Sequence, residues 1–139
     1  MTKKREIYRC AVCGNVTEVM NEGHGTLVCC GRPMELMVGN TTDASQEKHV
    51  PVVEKVEGGY LVKVGTIAHP MLEDHYIQWI ELHTPLSILF RELRPGDKPE
   101  VFFRTTEEAC CVRAFCNLHG MWNKKQLQAA GCADACYCE

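Results

Sequence analysis

Four cysteines near the amino terminus, Cys10-x2-Cys13 and the adjacent pair Cys29-Cys30, place four sulfurs at a spacing that can close on one tetrahedral metal ion. In a C-x-x-C turn both sulfurs reach the same ion while backbone N–H groups point at them. Gly14 and Gly31 follow the two pairs directly and supply permissive turn geometry. The competing account is two disulfides, which a reducing compartment and the strain of a vicinal Cys-Cys bond both disfavour. Four thiolates hold zinc as readily as iron. Two adjacent ligands cannot both take relaxed angles, which mildly favours iron.

A second constellation lies downstream. Cys116-Asn117-Leu118-His119 sets a thiolate and an imidazole three apart on a tight turn, with Gly120 next. His49, His69 and His75 each fall at a strand edge or in a loop, and Pro70 biases His69 toward extended geometry. A single histidine is ordinarily a surface residue or a satisfied core residue, and His24 and His83 are read that way. Four histidines and a cysteine at converging loops make a metal site, or incidental histidines, equally open readings on composition alone.

The elements that must position these residues are short. The chain has 139 residues, with 18 acidic and 15 basic side chains and a net charge of -3. That balance excludes a nucleic-acid footprint and a polybasic membrane anchor. No apolar run approaches the roughly 18 residues of a membrane span, and the residues after the basic start Met1 to Arg5 form no signal-type apolar stretch, so a cytoplasmic protein is expected. Ten cysteines in such a chain read first as metal or redox chemistry.

Residues 1–37 are too few to bury a stable core without a metal or another staple. Residues 38–46 are small, polar and without periodicity, which suits a linker. From Val50 the pattern is one of strands: a hairpin over 50–65 around Gly58-Gly59, an alternating run from Tyr76 to His83, an apolar run from Leu86 to Leu93, then Val101 to Arg104 and Cys111 to Phe115. Turn-spaced strands without a helix-length amphipathic segment predict a mostly β protein with an immunoglobulin-like β-sandwich. Residues 126–139 read as an appended tail, with Lys124 to Ala130 as one or two helical turns.

The stretch Ile7-Tyr8-Arg9-Cys10-x2-Cys13-Gly14 with Gly25-Thr26-Leu27-Val28-Cys29-Cys30-Gly31 resembles desulforedoxin and the amino-terminal domain of the desulfoferrodoxin family. Glu47-Lys48-His49-Val50-Pro51, His69-Pro70-Met71, His75-Tyr76-Ile77, Trp79-Ile80-Glu81, Pro95-Gly96-Asp97 and Cys116-Asn117-Leu118-His119-Gly120-Met121-Trp122 resemble the superoxide reductase domain of that family. The likeness is collinear from about residue 5 to residue 124. It implies a layout of a desulforedoxin-like iron domain (1–37), a linker (38–46), a superoxide reductase β-sandwich (47–125) and a cysteine-containing tail (126–139).

The resemblance further implies two irons per chain, one on Cys10, Cys13, Cys29 and Cys30, the other on His49, His69, His75 and His119 with Cys116 as axial ligand. Imidazoles suit Fe(II), and an axial thiolate pushes electron density onto the metal. The implied reaction is one-electron reduction of superoxide to hydrogen peroxide, with electrons from a rubredoxin-like donor. Lys48 would then draw in the anion and Glu47 would bind the ferric product state, where composition alone makes the pair a solvated surface. A homodimer is expected from the small amino-terminal core. The competing readings are a thiolate-iron electron carrier or redox sensor without superoxide turnover, and a binding protein with structural zinc. Cys110 and Cys111 are read as small buried hydrophobes, and Cys132, Cys136 and Cys138 as incidental residues of a dispensable tail.

Overall fold

The structure, a computed structural model, describes residues 1–39, 46–125 and Cys132, with Gln46 and Glu47 described as backbone only. The chain divides into two compact units, Met1–Val38 and Gly39–Glu139.

The first unit is built from very short strands. Ile7–Arg9 (β1) lies between Val16–Glu18 (β2) and Glu35–Met37 (β5), and Val28–Cys29 (β3) pairs with Arg32–Pro33 (β4), all antiparallel. Its buried hydrophobic residues are Ile7, Cys10 and Val19. So thin an apolar core leaves the four-cysteine site as the main cross-link between the three-stranded sheet and the β3–β4 pair. These five strands are too short for period-2 alternation to show in the sequence.

The second unit is a β-sandwich. One sheet has the order β10-β7-β6 and comprises Glu100–Arg104 (β10), Gly59–Val64 (β7) and Pro51–Val56 (β6). The other has the order β12-β11-β8-β9 and comprises Gly120–Lys125 (β12), Cys111–Cys116 (β11), Ile77–His83 (β8) and Ile88–Glu92 (β9). Tyr60, Val62, Val64, Ile77, Ile80, Leu82, Val101, Phe103, Val112, Ala114 and Trp122 fill the space between them. The 50–65 hairpin forms as the sequence predicts, with Gly58 at φ 88° in the turn. At Gly59 a Cβ would collide with the Phe103 carbonyl on β10, so only glycine permits that strand approach.

Strand β12 is the element that sequence patterning misses. Lys124 and Lys125 belong to it rather than to a helical turn, and it pairs residue for residue with β11 from Cys111↔Lys125 to Cys116↔Gly120. The helical expectation over 126–130 lies outside the described residues. Gln46–His49 (α1) forms a single helical turn, and among the described residues no helix is long and apolar enough to cross a membrane.

Both faces of β8 are covered, which explains why alternation there is imperfect. Ile80 and Leu82 face the core, while Glu81 and His83 on the opposite face are also buried. Glu81 accepts from His83 Nε2 at 2.8 Å, from Arg113 Nη2 at 2.8 Å and Nε at 3.1 Å, and from Trp79 Nε1 at 2.7 Å. Burial alone would raise its pKa, but His83 and Arg113 outweigh it and hold the carboxylate below its ordinary range.

The expectation that Cys110 is a simple buried hydrophobe and Cys132 an incidental tail residue is overturned. Cys110 and Cys132 form a disulfide, with Cα atoms 5.1 Å apart and both residues buried. The reason is topological. Because β12 runs antiparallel to β11, it ends with Lys125 opposite Cys111, so Cys132, seven residues further along the sequence, can reach Cys110. Cys136 and Cys138 lie outside the described residues.

Candidate metal centres

In the first unit the sulfur atoms of Cys10, Cys13, Cys29 and Cys30 all lie within 4.8 Å of one another. Cys13 Sγ is 3.6 Å from Cys29 Sγ, and Cys29 Sγ is 4.0 Å from Cys30 Sγ. A tetrahedron with metal–sulfur bonds of about 2.3 Å has edges of about 3.8 Å, so the set is spaced for one ion. The two halves reach this arrangement differently. The first is a knuckle in which the N–H groups of Val12 and Cys13 both donate to Cys10 Sγ at 3.4 Å. The second uses neighbours, whose side chains would point to opposite faces of an extended strand. Cys30 adopts φ 52° in the left-handed region, ahead of Gly31 at φ 74°, and this turn brings its sulfur to the same side as Cys29.

The electrostatics also call for a cation. The backbone donors of Cys13 and Val12 lower the Cys10 thiol to about 6. Cys13 and Cys10 push Cys30 up to about 12, and they raise Cys29 as well. One thiolate thus forms readily and its neighbours resist further negative charge, a conflict that a bound metal ion removes.

The second constellation forms at one end of the sandwich. His49 closes α1 just before β6; His69 follows β7, with its N–H on the Val64 carbonyl at 3.0 Å; and His75 sits two residues ahead of β8. Cys116 ends β11 and His119 occupies the turn into β12. Antiparallel pairing makes these the same end, since Pro51 pairs with Val64 and Cys116 pairs with both Ile77 and Gly120.

The four rings stand in a square. Neighbouring centroids are 4.6 Å (His49–His69), 4.8 Å (His69–His75), 5.1 Å (His75–His119) and 4.8 Å (His119–His49) apart. The His49–His75 diagonal is 6.4 Å. The inward ligand atoms of His49, His75, Cys116 and His119 lie within 4.8 Å of one another, and His69 completes the ring without belonging to that tightest set.

Which nitrogen faces inward follows from the partners. His69 Nδ1 donates to the Pro70 carbonyl at 2.7 Å, which leaves the lone pair on Nε2. His69 Nε2 and His75 Nε2 are buried with no protein partner. His49 Nε2 lies 3.1 Å from His119 Nδ1, which in turn lies 3.7 Å from Cys116 Sγ. Adjacent ligands at about 2.1 Å from a shared ion and at right angles are about 3.0 Å apart, so the spacing suits a metal. Burial, reinforced by the other rings, lowers His69 to about 4, and burial, His119 and Lys48 lower His75. Both shifts favour the neutral, lone-pair-bearing form of the His69 and His75 rings. Two orphaned buried nitrogens are costly in a bare protein and are satisfied by an ion.

Cys116 and His49 are buried, His75 is half-buried, and His119 and Lys48 are exposed, so the ring opens to solvent on the His119 side. The Glu47 side chain is not among the described ones. His83 is the satisfied core histidine that the sequence reading expects, on Glu81, and His24 is exposed. Sequence reasoning overlooked Trp122, which stacks on His49 with centroids 4.5 Å apart and is fully buried. Its signal was its place two residues past Gly120, inside the same family-like segment that carries Cys116 and His119.

Two family models match the chain: desulfoferrodoxin over residues 41–125 and the desulfoferrodoxin N-terminal domain over residues 2–37. A desulfoferrodoxin of Syntrophotalea carbinolica is 52% identical over 125 residues, covering 90% of this chain and 99% of that protein. A superoxide reductase of Pyrococcus abyssi is 36% identical over 106 residues, 62% of this chain and 92% of that one. The crystal structure of the superoxide reductase from Treponema pallidum superposes with a TM-score of 0.72 at 31% identity, covering 90% of this chain and all of that one. With both domain models matched in order and its relatives spanned nearly end to end, the chain belongs to the desulfoferrodoxin family.

Proposed function

We propose that the chain is a two-iron superoxide reductase, a reading carried by the square of four inward-facing imidazoles with Cys116 beside it. His49, His69 and His75 would hold the iron through Nε2 and His119 through Nδ1, with the buried Cys116 thiolate as the fifth ligand. Iron bound there supplies the one-electron reduction of superoxide, which with two protons becomes hydrogen peroxide. The protein's part is to hold five donors rigid, favour the neutral form of His69 and His75, and admit the anion on the exposed side.

Lys48 is the steering charge. The protein carries a net charge of -3, so an incoming anion is repelled overall. Lys48 is exposed, adjoins His49 and acts electrostatically on His75, so its field is felt where the substrate must arrive. Glu47, one residue further, is assigned by family resemblance to the oxidised site after turnover. Cys10, Cys13, Cys29 and Cys30 would hold the second iron, which relays electrons or stands by. The remaining parts of this reading are a rubredoxin-like donor, a homodimer, a cytoplasmic location and functional domains at 1–37 and 47–125.

The decisive experiment mixes the reduced, iron-loaded protein with a pulse of superoxide. The expected result is one peroxide per superoxide with no oxygen released. Oxygen evolution would instead mark a dismutase. Failure to consume superoxide while the four-cysteine iron cycles would mark an electron carrier.

A further inference from the structure

The turn between the two ligands Cys116 and His119 contains a residue to which the reading above gives no role. Asn117 sits where the β11–β8 ladder breaks. Phe115 pairs with Trp79, but Cys116 pairs with Ile77, so the register shifts at Gln78 and ordinary pairing ends just before His75 is reached. The Asn117 side chain takes over there. Its Oδ1 accepts from the Tyr76 N–H at 2.9 Å, its Nδ2 donates to the Asp74 carbonyl at 3.0 Å, and its own N–H donates to the Tyr76 carbonyl at 3.2 Å. Asp74 and Tyr76 are the two neighbours of His75.

We propose that Asn117 is the positioning residue for His75, a clasp that ties the loop carrying this imidazole to the turn carrying Cys116 and His119. The inference rests on the reading that these three residues ligate one ion. The His75 backbone is otherwise held by a reciprocal pair of bonds with Leu72, at 2.9 and 3.2 Å, inside its own tight turn. That turn fixes the local shape of the loop; Met71, whose carbonyl accepts from the Gly96 N–H at 2.8 Å, anchors its start, and Asn117 ties its His75 end to the turn carrying Cys116 and His119. A ligand borne on a loop needs such an outside anchor, because its donor atom must be held within about half an ångström of its place. Residues that orient ligands in this way typically change metal affinity by about 10–100-fold when removed.

The test is a cobalt(II) titration of the full chain, in which thiolate-rich and histidine-rich sites give distinct absorption. Asn117→Ala should weaken binding at the histidine site about tenfold and shift its ligand-field bands, leaving the four-cysteine site unchanged as an internal control. In a His75→Ala background the same substitution should change affinity by less than about twofold, because the group it positions is gone. Asn117→Asp keeps the acceptor for Tyr76 and gives up the donor to Asp74, so its affinity should fall between the two, and it serves if the alanine variant does not fold. An unchanged site in both single variants would overturn the inference. So would an equal tenfold loss with and without His75, which would make Asn117 a general structural residue. Cobalt affinities that behave as expected in a protein that leaves superoxide untouched would sink the proposed activity and leave the clasp standing.

Discussion

Cutting the Cys110–Cys132 bond provides the most quantitative test of the second unit. The two cysteines are 22 residues apart, and in the chain-entropy model closing a loop of that length removes about 11 cal/mol/K from the unfolded ensemble, or about 3 kcal/mol at room temperature. A unit of about 100 residues shifts its melting temperature by about 5 °C per kcal/mol. Cys132→Ser should therefore lower the Tm of this unit by about 15 °C, with Cys110→Ala/Cys132→Ala behaving alike. Both tryptophans, Trp79 and Trp122, lie in the Gly39–Glu139 unit, so intrinsic fluorescence reports on it alone. The melts should be run on metal-loaded protein, and a phosphine reductant applied to the unfolded chain should convert the unsubstituted protein to the variant's behaviour. A Tm within about 3 °C of the oxidised protein, or no 110–132 cross-linked peptide in a digest, would refute the reasoning. It would also restore the view of the tail as dispensable.

The remaining predictions separate the sites and their surroundings. Cys13→Ser should remove the four-cysteine iron and its colour yet leave superoxide reduction by chemically reduced protein intact, while His75→Ala or Cys116→Ser should do the reverse; metal analysis with pulsed superoxide distinguishes them. Lys48→Ile should slow superoxide association by about tenfold and flatten its dependence on salt, because a steering charge beside the ring is lost. Glu81→Gln removes the buried carboxylate that Arg113 and His83 both bond and should cost about 3 kcal/mol in a denaturant titration. Since the folded pKa of Glu81 is lowered, its contribution is present above the ordinary carboxylate range and is lost as pH falls through the lower folded value. The variant's deficit should accordingly shrink in acid.

The legible parts of the sequence were those whose chemistry is local. Cys10-x2-Cys13, the Gly58-Gly59 turn and the alternation of Tyr60, Val62 and Val64 each carry their meaning within a few residues. The four histidines were visible as residue types, but their convergence was not, since His49 and His119 are 70 apart in sequence and meet only because antiparallel strands end together. Strand β12 escaped notice because its partner β11 is buried on both faces, so Met121, Trp122 and Asn123 are all buried and no alternation survives. The Cys110–Cys132 bond was hidden by an assumption about compartment, which weighs on the chemistry of thiols but says nothing of where a returning strand will bring them.

The unequal exposure of the four sulfurs gives the amino-terminal centre a direction. Cys10 is buried and receives the two amide donors, whereas Cys13 and Cys30 are exposed. Amide bonds to sulfur favour the more negative, reduced state of a thiolate-bound metal and so raise its potential. Tunnelling to an outside molecule, by contrast, decays exponentially with distance and runs through whichever sulfur lies nearest the surface. Driving force and electron exchange are thus assigned to opposite sides of one small cluster. With a redox metal bound, adjusting the loop around Cys10 would change how readily the centre accepts an electron, while the face presented by Cys13 and Cys30 would decide how quickly that electron arrives.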